Sequence, residues 1–430
     1  MKLLLITAAL SAAALPAAAG SFTPQSYVKA ALESSPVMMK ADQALKQAED
    51  VYRSAVLDAA LPQLSAGFSL PVYDDARPLV RLDRHEVASY LAASWNLYDS
   101  ASGPAYKLKT AKYDYDNAQL GYLVTKQAEA LKALNRFYSL YAAQRRIGTA
   151  KTNLVSRERQ YKDTAEQFQS GTRSRIEVTQ SEGDKLQSEL SLAQAESAAA
   201  KALMAFNELI NAEPDAAQEV AVDTNTAAAV KLPLPRSDVD AALKNNYGLK
   251  RQRLALDRTR LENRSGVLAN YPRFRVDASW RKNGLGLLGT PGYGGPGNPA
   301  YGVTASLNYA FGFFGLQNRL EIRAKAAALR SSELELQDAE RQLKTGVLTS
   351  QADIALQVKS KQLLEFQVKA QKEAIDNLLT EYSLGGASFL QLDSAQTKYL
   401  DSSNGQIAAA NDLELALANY RALLGEKIWE

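Results

Sequence analysis

The chain has 430 residues, a formal net charge of +3, no cysteine and a single histidine, His85. Without cysteine there is no disulfide framework, no thiol chemistry and no cysteine to carry a lipid; one histidine excludes most imidazole-based metal and base sites. Charges of both signs are interspersed, so no nucleic-acid-binding face is indicated.

The first residues read as a secretory signal over 1–19. Lys2 gives the positive start, Leu3 to Leu15 is an apolar run too short to span a bilayer, and Ala17, Ala18 and Ala19 supply the small residues of a cleavage site before Gly20 or Ser21. No later stretch reads as a transmembrane helix. An exported chain of this kind is either soluble or part of an outer-membrane β-barrel.

Pro24 to Pro62 forms a unit that Pro235 to Pro272 repeats, with Val28, Ala30, Ala31 and Leu32 matching Val239, Ala241, Ala242 and Leu243. Each unit predicts a short helix, a break at Ser35-Pro36 or Tyr247-Gly248, and a helix of about 25 residues that stops before the next proline. Strand patterns follow. In the segment from Arg273 to Trp280, Phe274, Val276, Ala278 and Trp280 share one face, opposite Arg273, Arg275, Asp277 and Ser279. Leu64, Ala66, Phe68 and Leu70 make the matching face in the first half. Second strands are expected over Val87 to Tyr98 and Tyr301 to Phe311. Runs of about ten residues, apolar on one side and small or polar on the other, suit a membrane barrel with a wet lumen. The connecting segments Pro71 to Arg84 and Lys282 to Pro299 read as surface loops, and His85 as a solvated loop residue. Tyr98, Tyr309, Phe311, Phe313 and Phe314 are either an interfacial aromatic girdle or core.

Two very long helices come next, Gly103 to Phe168 and Gly315 to Tyr382, each roughly 66 residues or about 100 Å. Leu131, Leu134, Tyr138 and Tyr141 are spaced 3-4-3, Leu413, Leu417, Tyr420 and Leu424 are spaced 4-3-4, and Leu329, Leu336 and Leu343 recur at seven. The return helices, from Ser174 to about Asn211 and from Ser388 to Gly425, are shorter. Each nearly makes up one long helix when joined to the pre-strand helix of its own half. Phe206 to Asn211 and Tyr420 to Gly425 end the halves alike. The division is therefore a first repeat over 20–211, a linker over 212–234 and a second repeat over 235–430.

The turn between long and return helix is itself duplicated. Phe168 and Tyr382 each precede a glycine by three residues, Gly171 and Gly385, and a serine follows three residues later, Ser174 and Ser388. The glycines suit a left-handed helix end, the serines an N-cap. Ile176 and Val178 correspond to Leu390 and Leu392. There is no Walker A loop, no paired Cys/His set and no Gly-x-Ser-x-Gly, so no enzymatic activity, cofactor or metal is expected.

These duplicated turns, the Ala-Leu…Pro units and the Leu423-Leu424-Gly425 ending resemble the TolC family of outer-membrane efflux and secretion channels, over about Thr23 to Gly425. The resemblance implies a mainly α fold with a membrane β-barrel portion. Long helical hairpins would form a periplasmic α-barrel, and each protomer of a homotrimer would give four strands to a shared twelve-stranded barrel in outer-membrane lipid. It implies a passive exit duct of a tripartite efflux or type I secretion system in a Gram-negative-type bacterium. The partners would be a periplasmic adaptor protein and an inner-membrane pump of RND, ABC or MFS type, with the pump choosing the cargo. Independently, four strands cannot close a barrel in lipid, and cyclic assembly removes the open edges.

By that resemblance, carboxylates just after the tip turn would charge the tunnel end. Glu177 matches; Gln391 and Ser394 depart from the pattern, and Asp393 is one residue off. Glu177 is either a tunnel charge or a helix-start residue stabilised by the helix dipole. Arg173 and Arg175 are either ion pairs holding the end closed or exposed charges worth little. Gly171, Thr172, Ser174, Gly385, Gly386 and Ser388 are the expected adaptor-docking surface. The competing readings are a periplasmic coiled-coil adaptor or structural protein, and a stand-alone porin. Against the adaptor stand the whole-chain duplication and the lipid-patterned strands; against the porin stand the narrowing tips and the tall helical tube.

Overall fold

A computed structural model describes residues 21–69, 88–98, 103–222, 235–268, 271–283, 300–309, 316–383 and 386–430. The signal segment, His85, most of both strand-connecting loops, Phe311, Phe313, Phe314, Gly385 and the linker from residue 223 to 234 lie outside the described residues. The order of elements is written twice. The first run is α1 (Pro24–Ser34), α2 (Pro36–Ala60), β1 (Gln63–Ser69), β2 (Ala88–Tyr98), α3 (Pro104–Gln169) and α4 (Arg175–Leu209). The second is α5 (Pro235–Asn245), α6 (Tyr247–Leu268), β3 (Arg273–Asn283), β4 (Ala300–Asn308), α7 (Leu316–Ser383) and α8 (Phe389–Leu424).

Local chemistry sets the helix boundaries. The Ser35 side chain accepts from the Met38 N–H, so α2 starts on a serine cap followed by proline. Asn246 caps α6 with its Oδ1, which accepts from the Leu249 N–H at 3.0 Å. The break in the second half therefore falls one residue before the Tyr247-Gly248 expected from glycine alone. The two halves also end alike in backbone geometry. Asn211 has φ 54° and Gly425 has φ 77°, so the matching positions after α4 and α8 are both left-handed, a conformation that asparagine and glycine visit most readily.

α3 has 66 residues and α7 has 68. α2 (25 residues) and α4 (35 residues) both pack along α3, and α6 (22 residues) and α8 (36 residues) both pack along α7. A wall of near-uniform height follows. α6 and α8 also pack on α3, which joins the halves. Where α1, α3 and the end of α4 meet, Tyr27 stacks on Phe206 at 3.8 Å between centroids and its hydroxyl donates to the Phe206 carbonyl at 2.9 Å. The equivalent place in the second half is polar: the Tyr420 hydroxyl donates to Asp238 at 2.6 Å and accepts from Gln351 at 2.8 Å. Burying an aromatic such as Phe206 contributes about 1.5–3 kcal/mol.

The strands form one antiparallel sheet in the order β1-β2-β3-β4. The register aligns the alternation of every strand, because residues paired across an antiparallel ladder point to the same face. Leu64 pairs with Ala93, Leu91 with Trp280, Trp95 with Val276, Ala278 with Val303, and Phe274 with Leu307. One face is thus apolar across all four strands. It is open in the single chain: Leu64 is 80 % exposed, Tyr301 78 %, Val303 77 % and Leu307 70 %. The opposite face carries Ser65, Tyr90, Ser94, Arg273, Arg275, Asp277, Ser279, Thr304 and Ser306. β1 and β4 are the outer strands, and among the described residues nothing pairs with their outer edges. No described helix is long and apolar enough to cross a membrane.

Candidate functional site

The candidate site lies at the two turns that follow the long helices α3 and α7. At the first tip, α3 closes with paired reverse bonds: the Thr172 N–H donates to the Gln167 carbonyl and the Gly171 N–H to the Phe168 carbonyl, both at 2.9 Å. This geometry needs a left-handed residue, and Gly171 supplies it with φ 79°. Ser174 then caps α4 in a reciprocal box. Its N–H donates to Glu177 Oε2 at 2.9 Å, and the Glu177 N–H donates back to Ser174 Oγ at 3.3 Å. At the second tip the Gly386 N–H donates to the Glu381 carbonyl at 2.8 Å, across the same span of five residues. Ser388 caps α8 in the same box, with Gln391 in place of glutamate: the Ser388 N–H donates to Gln391 Oε1 at 2.9 Å.

Glu177 is therefore the acidic partner of its own N-cap, and its carboxyl is lowered first by the Ser174 backbone N–H and then by the Ser174 hydroxyl and Arg173, against the opposing effect of burial. Arg173 pairs with it at 3.2 Å and also donates to Gln167 Oε1 at 3.0 Å. The same guanidinium sits over the Tyr382 ring at 4.3 Å and reaches the Tyr382 carbonyl at 3.5 Å. Arg173 thus ties the first tip to the second. Arg175 is exposed and makes no ion pair among the described residues. Thr172, Ser174, Gly386 and Ser388 are exposed, as are the matching aliphatics Ile176 (70 %) and Leu390 (73 %).

Three further buried residues at this end, Arg157, Gln160 and Thr164 of α3, have no marker in the tip motif. Tyr382 is buried, and its hydroxyl shares a hydrogen bond of 3.0 Å with the fully buried Thr164 of α3. Deeper in, the buried Arg157 of α3 lies between Asp393 of α8 at 2.7 Å and Asp184 of α4 at 3.6 Å. It also donates to Gln160 Oε1 at 3.3 Å and Thr397 Oγ1 at 3.4 Å. Burial pushes the Asp184 carboxyl up; Arg157 opposes this and Asp393 adds to it. Asp393 therefore faces the seam between α3 and α8. Arg157, Gln160 and Thr164 are spaced 3-4 on α3, and that spacing is the signal a sequence reading could have used. Among the described residues no group of three or more His, Cys, Asp or Glu is placed to hold a metal ion.

A model of the family described as Outer membrane efflux protein matches residues 239–426, nearly the whole second half. The first half repeats that half element for element. The second half of the chain is similar to the outer membrane efflux protein family. No curated protein sequence matches it. The fold is similar to that of the outer-membrane channel OprN, with a TM-score of 0.78 and 16 % identity over 95 % of this chain and 91 % of that one. It is similar also to the outer membrane protein VceC of Vibrio cholerae, with a TM-score of 0.75 and 15 % identity over 94 % and 96 % of the two chains. The MtrE outer membrane channel of Neisseria gonorrhoeae, in its open state, gives a TM-score of 0.75 and 17 % identity over 94 % and 89 %.

Proposed function

We propose that this chain is an outer-membrane channel with its long helices in the periplasm, the passive exit duct of a tripartite export system, assembled as a homotrimer. The observation that carries the reading is the four-stranded sheet: one face apolar and exposed, two outer edges unpaired among the described residues, and helices of about 100 Å running from it. Lipid does not tolerate open strand edges, and four strands cannot close a barrel, so three copies sharing twelve strands satisfy both demands. In this reading the processed chain begins after residue 19 and divides into the repeats 20–211 and 235–430, joined by 212–234. The mass of the detergent-extracted protein, by light scattering corrected for detergent, tests the assembly. A trimer is expected; a monomer or dimer in the soluble periplasmic fraction refutes it.

The hairpin tips dock a periplasmic adaptor, which connects the duct to an inner-membrane pump. Supporting this, both tips end in small or polar exposed residues, Thr172, Ser174, Gly386 and Ser388, beside the exposed Ile176 and Leu390. A side chain added at Gly171 meets nothing within 4 Å of its Cβ, so the chain itself leaves room there. Bulky residues at Gly171 and Gly385 are expected to abolish export without blocking outer-membrane assembly. Export at the wild-type level in those variants would exclude the tips as the docking surface.

A further inference from the structure

We propose that α4 of one copy lies antiparallel along α7 of the next, and that this apolar seam, in a register set by the internal duplication, closes the ring of copies. The inference rests on the assembly proposed above and names the surfaces that make it.

A single copy leaves both surfaces bare. Among the described residues α4 packs on α3 and on no other element to a comparable extent, whereas its duplicate α8 packs on α7, α5 and α3. From Ile176 to Met204 the positions of α4 spaced 3-4 are all exposed, and none carries a charge. The large ones, Ile176, Leu186, Leu190 and Met204, are each at least half exposed. Such a repeat is the seam of a coiled coil, and it is stable only against a facing helix. α7 offers the matching surface: Leu348, Leu356, Leu363 and Phe366 are also at least half exposed, on one side of the helix. Gly183 lies in the α4 stripe, where glycine weakens a helix, and a Cβ added there meets nothing within 4 Å in the single copy.

The duplication also gives the register. Where α8 lies against α3, the numbers of facing residues add to about 550: Arg157 with Asp393, Ser156 with Gln396, Thr149 with Ser403, Tyr138 with Asn411. Exchanging α3 for α7 adds 214 and exchanging α8 for α4 subtracts 214, the separation of Ser174 and Ser388, so the total stands. In that register Met204 meets Leu348, Leu190 meets Leu363, and Leu186 and Gly183 straddle Phe366, whose ring the glycine leaves room for. The exposed Glu182 comes opposite the exposed Lys369, and neither has an ion pair among the described residues. The seam within a copy is polar at the matching positions. It has Thr149 and Thr152 where α7 has Leu363 and Phe366, and Asp393 and Asn411 where α4 has Thr179 and Ser197. The seam between copies is therefore the drier of the two.

The test is disulfide formation in the otherwise cysteine-free chain, purified in detergent. On oxidation Met204→Cys/Leu348→Cys is expected to shift to covalent dimer and closed trimer on a non-reducing gel, because facing positions of a seam lie within disulfide reach. Met204→Cys/Phe366→Cys puts the thiols 18 residues out of register, about 27 Å along the helix, and is expected to stay monomeric. Gly183→Leu improves the isolated helix but fills the space of the Phe366 ring, so the trimer should fall apart at a lower temperature on a heated gel, and Gly183→Leu/Phe366→Ala should restore it. A protein that is trimeric by light scattering but forms no bond at the first pair assigns the α4 stripe to some other protein and overturns the inference, leaving the trimer standing. Equal bonding at the two pairs, or an unchanged trimer in Gly183→Leu, overturns it too. If light scattering shows no trimer, the assembly reading fails first and this one with it.

Discussion

Replacing Arg157 by leucine removes the one cation between two aspartates of different helices. The Arg157 side chain is 8 % exposed, Asp393 30 % and Asp184 35 %. Breaking a buried ion pair from one side costs about 3–5 kcal/mol, because the remaining charge is left without compensation. Both aspartates keep about a third of their exposure to water, which screens them, so the cost falls to the bottom of that range or just under it, about 2–3 kcal/mol. That corresponds to a local opening constant larger by about 30- to 150-fold. The assay is hydrogen exchange of the backbone amides of α3 and α8 around Arg157, in detergent, where local opening is read directly. Arg157→Leu/Asp184→Leu/Asp393→Leu should recover most of the protection, since a well-packed apolar set is no worse than the triad it replaces. Exchange within threefold of wild type in the single variant, or a triple variant no better than the single, would refute the reasoning.

Gly425→Ala should lower the urea midpoint of the helical signal far more than Gly171→Ala. Both glycines are left-handed, costing alanine roughly 1–2 kcal/mol, but at Gly425 the new Cβ also meets the Asn245 carbonyl oxygen at 2.5 Å. Glu177 has a carboxyl held below its ordinary 4.5 in the folded protein, so its contribution is present above that value and lost as pH falls through the lower folded one. Acidification should therefore raise amide exchange at the first tip, and Glu177→Gln, which keeps the capping box as Gln391 does, should leave it flat; an equal acid response in both would remove Glu177 as the cause. Thr149 and Ser403 have hydroxyls 3.5 Å apart between α3 and α8, and the chain has no other thiol. In Thr149→Cys/Ser403→Cys the oxidised and reduced proteins should export equally; loss of export on oxidation, restored by reductant, would show that the two hairpins of one copy must part.

The caps and strand faces were legible because their causes are local. Gly171, Ser174 and Ser388 act through bonds to residues three or four positions away, and the alternation in β3 needs only its own period. Leu413, Tyr420 and Leu424 are buried as their spacing indicates, and Leu417 between them is partly so. The buried face of α3 was less legible. Leu134 and Tyr138 are buried, but Leu131 and Tyr141 are only partly so, and the centre of the face runs through Ala130, Ala133 and Phe137. A helix packed on several sides approaches its neighbours through alanine, which a search for leucine spacing passes over. Towards the tip the same face turns polar, with Ala143 and Ala150 giving way to Arg157, Gln160 and Thr164. Polar residues at core spacing look like surface until their partners on α4, α7 and α8 are known, and those partners lie up to 240 residues away in the chain.

That polar stretch bears on how the tip can open. Within one copy the two hairpins are tied at three heights: Arg157 to Asp393, Thr164 to Tyr382, and Arg173 to Tyr382. The first two ties leave α3 seven residues apart, about 10 Å along the helix. They are therefore on the same side of α3, and they resist separation together. Parting the hairpins would expose the guanidinium of Arg157 to water but would also strip Thr164 and Tyr382 of their shared bond in an otherwise apolar pocket formed with Leu378, Phe389 and Leu392. The residues at the extreme tips, Ile176 and Leu390, make no such commitment within the copy and remain exposed. In the proposed trimer these ties hold the hairpins of each copy together. Opening by movement of whole hairpin pairs against each other leaves all three ties in place.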